Sequence, residues 1–124
     1  MATSFKDMLA AANAVIETVS VQDALYLIEN DQCLFVDVRE AVERANGTIA
    51  GSIHLPRGFL EFQADPTSPM FNEDLNDEFK LVLFCASGGR SALAAKTLMD
   101  MGYSDVCHIA GGFAAWREAS GPTV

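Results

Sequence analysis

The residues best equipped for chemistry in this chain are Cys85 and the loop that follows it. Leu81-Val82-Leu83-Phe84 is an apolar run leading straight into Cys85, and Ala86-Ser87-Gly88-Gly89-Arg90-Ser91 then passes into a helical pattern. A thiol at a strand end, wrapped by a glycine loop that opens a helix, meets unpaired backbone N–H groups and the positive end of the helix dipole. Both stabilise negative charge on sulfur and lower the thiol pKa. Gly88 and Gly89 can take positive φ, which lets successive amides converge on one point as an anion nest. The pattern suits a thiolate nucleophile and whatever anion becomes attached to it. A cysteine after four apolar residues is, by itself, more often a small core filler. The Ser-Gly-Gly-Arg-Ser continuation argues against that, because a strand that merely continued would need neither paired glycines nor an arginine there.

Such a loop must be positioned by the elements around it. Phe5, Met8, Leu9, Ala12, Val15 and Ile16 fall on one helical stripe, giving an amphipathic extension over residues 1–17 that can pack on the domain or on a second copy. Thr18-Val19 is a short extended stretch, and Ser20 with Asp23 resembles a helix start. Cys33-Leu34-Phe35-Val36-Asp37-Val38 is a continuous apolar strand. Glu40 to Ala45 reads as a short polar helix stopped at Asn46-Gly47, Ser52 to Leu55 as a strand closed by Pro56, and Arg57 to Gln63 as a helix. The Pro- and Asp-rich stretch Ala64 to Asp77 reads as loop. Beyond Leu81 to Phe84, a helix runs from Ser91 to its stop at Gly102, followed by a strand Val106 to Ile109 and a helix Phe113 to Glu118. Strands apolar throughout, alternating with helices, imply an α/β domain with a central five-stranded parallel sheet covered on both faces. Ligands bind such sheets at the carboxyl ends of the strands, where Asp37, Arg57 and Cys85 all lie.

Composition narrows the function classes. The chain of 124 residues fits one domain, and half of it is apolar, as a globular core requires. Three cysteines, Cys33, Cys85 and Cys107, and two histidines, His54 and His108, show no paired or ligand spacing, which argues against a disulfide framework and a metal site. A reducing cytoplasm is the expected setting. The net charge of −9 disfavours nucleic acid and anionic membranes as partners, and no signal pattern or spanning apolar run is present.

Four segments in order resemble the rhodanese-like sulfurtransferases: Val36-Asp37-Val38-Arg39-Glu40, Gly47 to Pro56, Cys85 to Ser91, and Gly111-Gly112-Phe113-Ala114-Ala115-Trp116. The resemblance covers about residues 18–122, a single rhodanese-like domain behind the N-terminal helix. The resemblance implies that Cys85 takes sulfane sulfur from a donor such as thiosulfate or a persulfide. Cys85 would then carry it as a covalent persulfide, with no cofactor, and pass it to a thiol or cyanide. Such a cycle has two half-reactions and ping-pong kinetics. The amides from Ala86 through Ser91 would hold the terminal sulfur. Related phosphatases and arsenate reductases carry five residues between Cys and Arg, whereas Ala86, Ser87, Gly88 and Gly89 alone intervene here; the shorter loop suits one sulfur atom.

The resemblance also assigns supporting roles. Asp37 and Arg39 match a pair that helps hold the active loop, either as part of the site or as a buried ion pair fixing the turn. Arg90 either aims at the bound anion or braces the loop by reaching back to a carboxylate such as Asp37 or Glu40. Ser91 can donate its hydroxyl to the persulfide or simply start the helix. Arg57 is the remaining cation available to the pocket mouth. Ala86 and Ser87 stand where thiosulfate-using relatives often carry basic residues, which leaves small or protein persulfides as candidate donors. A persulfide-carrier module serving a thiol-protein partner, as monomer or homodimer, is the alternative to a freely turning-over enzyme. Cys33 and Cys107 sit in strands and read as core; His54 and His108 also sit in strands, with no ligand-spaced partner, and neither is the candidate base.

Overall fold

The computed structural model describes residues 2–124. Five strands form one parallel sheet in the order β1-β5-β4-β2-β3: Glu17–Val19 (β1), Cys33–Asp37 (β2), Ile53–His54 (β3), Lys80–Phe84 (β4) and Val106–Ile109 (β5). The sheet takes this parallel form because β2, β4 and β5 are apolar on both sides and must be covered on both faces. Leu81, Leu83 and Cys85 face Ala94, Ala95 and Leu98 of α5 (Gly89–Asp100). The alternate residues Val82, Phe84, Cys107 and Ile109 face Phe113 and Trp116 of α6 (Gly112–Glu118), with Ala24 of α2 (Val21–Leu27). Successive side chains of a strand point to opposite faces, so Cys85 belongs to the α5 side.

The connections leaving β2 and β4 run in opposite directions, β2 to β3 on one side and β4 to β5 on the other. The carboxyl ends of these neighbouring strands therefore flank the crevice where ligands bind in sheets of this type. Asp37 lies at one end and Cys85 just beyond the other.

Several helix starts follow from local chemistry. Ser4 and Asp7 form a reciprocal capping box on α1 (Phe5–Val15), and Ser20 Oγ accepts the Asp23 N–H at the start of α2. α1 lies against α5, burying Ala12 and partly covering Leu9 and Ile16, while Phe5, Met8 and Val15 of its apolar stripe remain exposed. Two boundaries differ from the sequence reading. α5 begins at Gly89 rather than Ser91, because Gly88 alone absorbs the turn at φ +119° and Gly89 is already helical. The segment after Pro56 is a 3-10 turn, Arg57–Phe59, that passes into α4 (Leu60–Ala64). No described helix is long and apolar enough to cross a membrane.

Candidate active site

Cys85 is 1% exposed, yet its sulfur is ringed by donors. The Gly88 N–H points at Sγ from 3.1 Å and the Ser91 N–H from 3.4 Å, and Ser91 Oγ lies 3.6 Å away. Burial acts most strongly on this thiol and pushes its pKa up. Hydrogen bonds from the Ser91 hydroxyl and from the amides of Ser91, Gly88 and Ser87 together outweigh it and bring the pKa below the ordinary thiol value. Cys107 is a contrast: buried on β5 without such donors, that thiol is pushed up to about 12, mainly by burial.

The amides can converge on sulfur because the carbonyls are tied away from it. The Cys85 carbonyl accepts the Phe113 N–H at 2.8 Å, and the Ala86 carbonyl accepts the Ala114 N–H at 3.2 Å. Both donors are first-turn amides of α6, which have no partner inside their own helix. Gly112 permits this approach. At φ +60°, a Cβ there would stand 2.5 Å from the Cys85 carbonyl oxygen.

Of the expected supporting residues, Asp37 and Arg39 do not touch the sulfur. Asp37 is buried and accepts the Arg39 backbone N–H and Nε at 3.0 Å, Arg39 Nη2 at 2.9 Å, Arg44 Nη1 at 3.3 Å and Thr48 Oγ1 at 2.9 Å. Burial opposes its ionisation, but these donors hold its carboxyl below the usual range. Arg39 Nη2 also donates to the Gly47 carbonyl at 2.7 Å, and its guanidinium stacks 4.5 Å from the Phe113 ring centre. The pair thus braces the end of β2 against α6, behind the loop.

Arg90 braces as well, with a different carboxylate from the two expected. Its Nη1 and Nη2 donate to Glu43 Oε1 and Oε2 at 2.7 and 3.0 Å, tying the start of α5 to α3 (Ala41–Ala45). Asp37 is already saturated, and Glu43 is the residue α3 turns toward α5. The Arg90 guanidinium holds the Glu43 carboxyl down to about 2. Arg57 donates to Glu61 Oε1 at 3.0 Å and to Thr97 Oγ1 at 3.3 Å, and lines a groove of about 390 Å³ with Met8, Leu93 and Lys96. Thr97, Leu93 and Lys96 lie along α5 beyond its first turn, Glu61 lies on α4 and Met8 on α1. Among the described residues, no hydrogen bond joins Arg57 to the Cys85 loop.

His108, set aside on sequence as a candidate base, is beside the site. Its Nδ1 is 2.9 Å from Ser91 Oγ, and its Nε2 is 3.0 Å from Thr18 Oγ1. The signal was in the sheet register: Leu83 pairs with His108 and His108 with Thr18, so His108 stands on the Cys85 face of the neighbouring strand.

A model of the rhodanese-like domain matches residues 20–119. The human thiosulfate:glutathione sulfurtransferase is 32% identical over 108 residues, covering 82% of this chain and 93% of its own length. Among solved structures, a Rhodopseudomonas palustris protein of unknown function, described as a possible tyrosine phosphatase, is 45% identical with a TM-score of 0.93, covering 98% of this chain and 95% of its own. The polysulfide-sulfur transferase homodimer of Wolinella succinogenes is 32% identical with a TM-score of 0.76, covering 97% and 86%. The chain spans about half the length, 51%, of a Bacillus subtilis sulfur-carrier candidate that it matches. With the domain matched across the strands that build the Cys85 loop, and relatives named for sulfur transfer on that fold, the chain belongs to the rhodanese-like family of sulfurtransferase-type domains.

Proposed function

We propose that the protein transfers sulfane sulfur through a persulfide on Cys85. The observation that carries this is the ring of donors from Gly88 and Ser91 on a buried thiol whose pKa they lower. The Cys85 thiolate attacks the outer sulfur of the donor. A new S–S bond forms, the donor's own bond to that sulfur breaks, and its electron pair leaves with sulfite or with a thiolate, according to the donor. The terminal sulfur then sits among the loop amides, which are fixed before reaction and need no reorganisation to stabilise negative charge. In the second half-reaction a thiolate or cyanide attacks that terminal sulfur, and the Cys85 thiolate departs with the electron pair of the S–S bond. Thiosulfate and small persulfides are the proposed donors, and a small or protein thiol is the proposed acceptor. The name of the human relative supports the thiosulfate and thiol pair.

The phosphatase description of the Rhodopseudomonas palustris protein invites the second chemistry. Two features here stand against it: four residues intervene between Cys85 and Arg90, and both Nη atoms of the Arg90 guanidinium are engaged by the Glu43 carboxylate rather than free to receive a tetrahedral oxyanion. The deciding experiment is intact-mass spectrometry of reduced protein after brief exposure to thiosulfate or a cysteine persulfide. A gain of one sulfur atom (~32 Da), lost on adding thiol and missing in Cys85→Ser, is the expected result. Aryl phosphate hydrolysis without a sulfur adduct would overturn the proposal.

A further inference from the structure

His108 is a buried imidazole with both ring nitrogens engaged, 4% exposed on β5. Ser91 Oγ links it to the Cys85 sulfur at 3.6 Å, and Thr18 Oγ1 links it to the exposed edge strand β1. An unbroken file of polar atoms, Cys85 Sγ, Ser91 Oγ, His108 Nδ1 and Nε2, Thr18 Oγ1, therefore runs from the buried sulfur across β5 to an exposed residue.

Hydrogen accounting along this file gives the ring a role. A hydroxyl has one hydrogen and a neutral imidazole has one N–H. The Ser91 hydroxyl hydrogen has three possible recipients: the Cys85 sulfur, His108 Nδ1 at 2.9 Å, and the Gly88 carbonyl at 3.2 Å. A bare Nδ1 draws that hydrogen to itself. An Nδ1 that carries its own hydrogen donates to Ser91 Oγ instead and leaves the hydroxyl hydrogen free to face sulfur. We propose that His108 is a positioning residue for Cys85, its tautomer deciding whether the Ser91 hydroxyl bonds the sulfur, and that exchange of tautomers conducts the thiol proton to Thr18 and water.

The step balances. In the thiol state, Cys85 S–H donates to Ser91 Oγ, the Ser91 hydroxyl to Nδ1, and Nε2–H to Thr18 Oγ1. On ionisation each hydrogen moves one link: from sulfur to Ser91 Oγ, from Ser91 to Nδ1, from Nε2 to Thr18 Oγ1, and from Thr18 to water. The S–H electron pair stays on sulfur, the ring is neutral before and after, and one proton reaches solvent. Every hydrogen bond in the file is then reversed, with the Ser91 hydroxyl donating to thiolate.

The surroundings favour a neutral ring. Burial is the one cause that lowers the His108 pKa. The groups meeting it from neighbouring elements are Ser91 and Gly88 at the head of α5, Thr18 on β1 and, through Ser91, Cys85 after β4; of these only Cys85 titrates.

This inference rests on Cys85 being the reacting thiol, and its test reads that thiol directly. In the full chain, the His108 tautomer is followed by 15N NMR while Cys85 is titrated. Alkylation of Cys85 against pH is compared in wild type, His108→Leu and His108→Asn. The ring is expected to switch from Nε2–H to Nδ1–H with the same midpoint as the thiol. His108→Leu leaves the Ser91 hydroxyl hydrogen shared between the Gly88 carbonyl and the sulfur, so it is expected to slow alkylation at neutral pH by about threefold, equivalent to about half a pKa unit and less than loss of the hydroxyl itself, and His108→Asn, which places an amide near the Nδ1 position, to recover most of that loss. A ring that keeps one tautomer through the thiol titration overturns the proposal, as does an unmoved thiol midpoint in folded His108→Leu. Should His108→Leu not fold, the wild-type tautomer measurement decides. Alkylation does not depend on sulfur loading, so a missing sulfur adduct would count against the proposed function alone.

Discussion

Gly112→Ala tests whether the last helix holds the active loop in place. A Cβ at this position would lie 2.5 Å from the Cys85 carbonyl oxygen and 2.7 and 2.8 Å from the Ala86 carbonyl carbon and oxygen. All three are backbone atoms, so no change of rotamer can relieve the contact. The residue is also left-handed, at φ +60°, which costs an L residue about 1–2 kcal/mol. Forcing the backbones apart adds about 1–3 kcal/mol. Gly51 supplies the control: its φ is +78° and nothing lies within 4 Å of its missing Cβ, so Gly51→Ala carries the conformational cost alone. At roughly 4 °C of melting temperature per kcal/mol for a chain of this size, Gly112→Ala should melt about 8–20 °C below wild type and Gly51→Ala about 4–8 °C below. A typical domain stability of about 5–15 kcal/mol leaves most of that range folded at room temperature, where the functional readout is taken. Separation of α6 from the loop releases the Cys85 and Ala86 carbonyls from Phe113 and Ala114, and the loop amides lose their fixed aim at sulfur. Alkylation of Cys85 at neutral pH should therefore slow in folded Gly112→Ala and stay at the wild-type rate in Gly51→Ala. Equal melts for the two variants, with unchanged Cys85 alkylation in both, would refute the claim that α6 sets the loop.

Two further outcomes follow from the same geometry. Ser91→Ala removes the hydroxyl 3.6 Å from sulfur but keeps the amide; hydrogen bonds to charged groups contribute about 1.5–3 kcal/mol at good distance, so this longer one should slow neutral-pH alkylation by roughly three- to tenfold, and an unchanged rate would exclude the hydroxyl as a donor to sulfur. Glu43 is held at about 2 in the folded protein against an ordinary 4.5, so its pairing with Arg90 stabilises the fold fully above the ordinary value and is lost as pH falls toward the folded one. Urea melts should show wild type losing stability relative to Glu43→Gln between pH ~5 and ~2, and a gap that does not change with pH would contradict the pairing.

The features legible in the sequence are those whose cause is local. Strands β2, β4 and β5 announce themselves by continuous apolar runs, the α2 start by Ser20 and Asp23, and the active loop by glycines directly after a strand that ends in cysteine. What stayed hidden depends on strand order and helix placement. His108 gains meaning only because β5 lies beside β4 with Leu83 in register, which sets its ring under Ser91. Arg90 finds Glu43 because α3 packs near the head of α5 and because Arg39, Arg44 and Thr48 have already claimed Asp37. Gly112 stands in the sequence only as part of the Gly111-to-Trp116 segment until the fold brings the Cys85 carbonyl to within hydrogen-bond distance of its neighbour's amide. Arg57, whose position after a strand end suggested the pocket mouth, has its guanidinium engaged by Glu61 and Thr97, partners that its place in the sequence does not announce.

The same contacts explain how a chain of net charge −9 can favour an anion at one point. Charges across the surface are screened over about 8 Å at physiological salt, so the groups nearest the loop dominate. Glu43 is neutralised by Arg90, and Asp37 by Arg39 and Arg44. With those two carboxylates paired, what faces the sulfur is a set of N–H dipoles at 3.1 to 3.4 Å. Two of the loop's carbonyls, which would repel negative charge if turned inward, are held outward by α6. The ion pairs are accordingly part of the site's electrostatics even though none touches the sulfur: removing Arg90, or Arg39 and Arg44 together, would leave an unpaired carboxylate near the loop, acting against the thiolate that the amides stabilise.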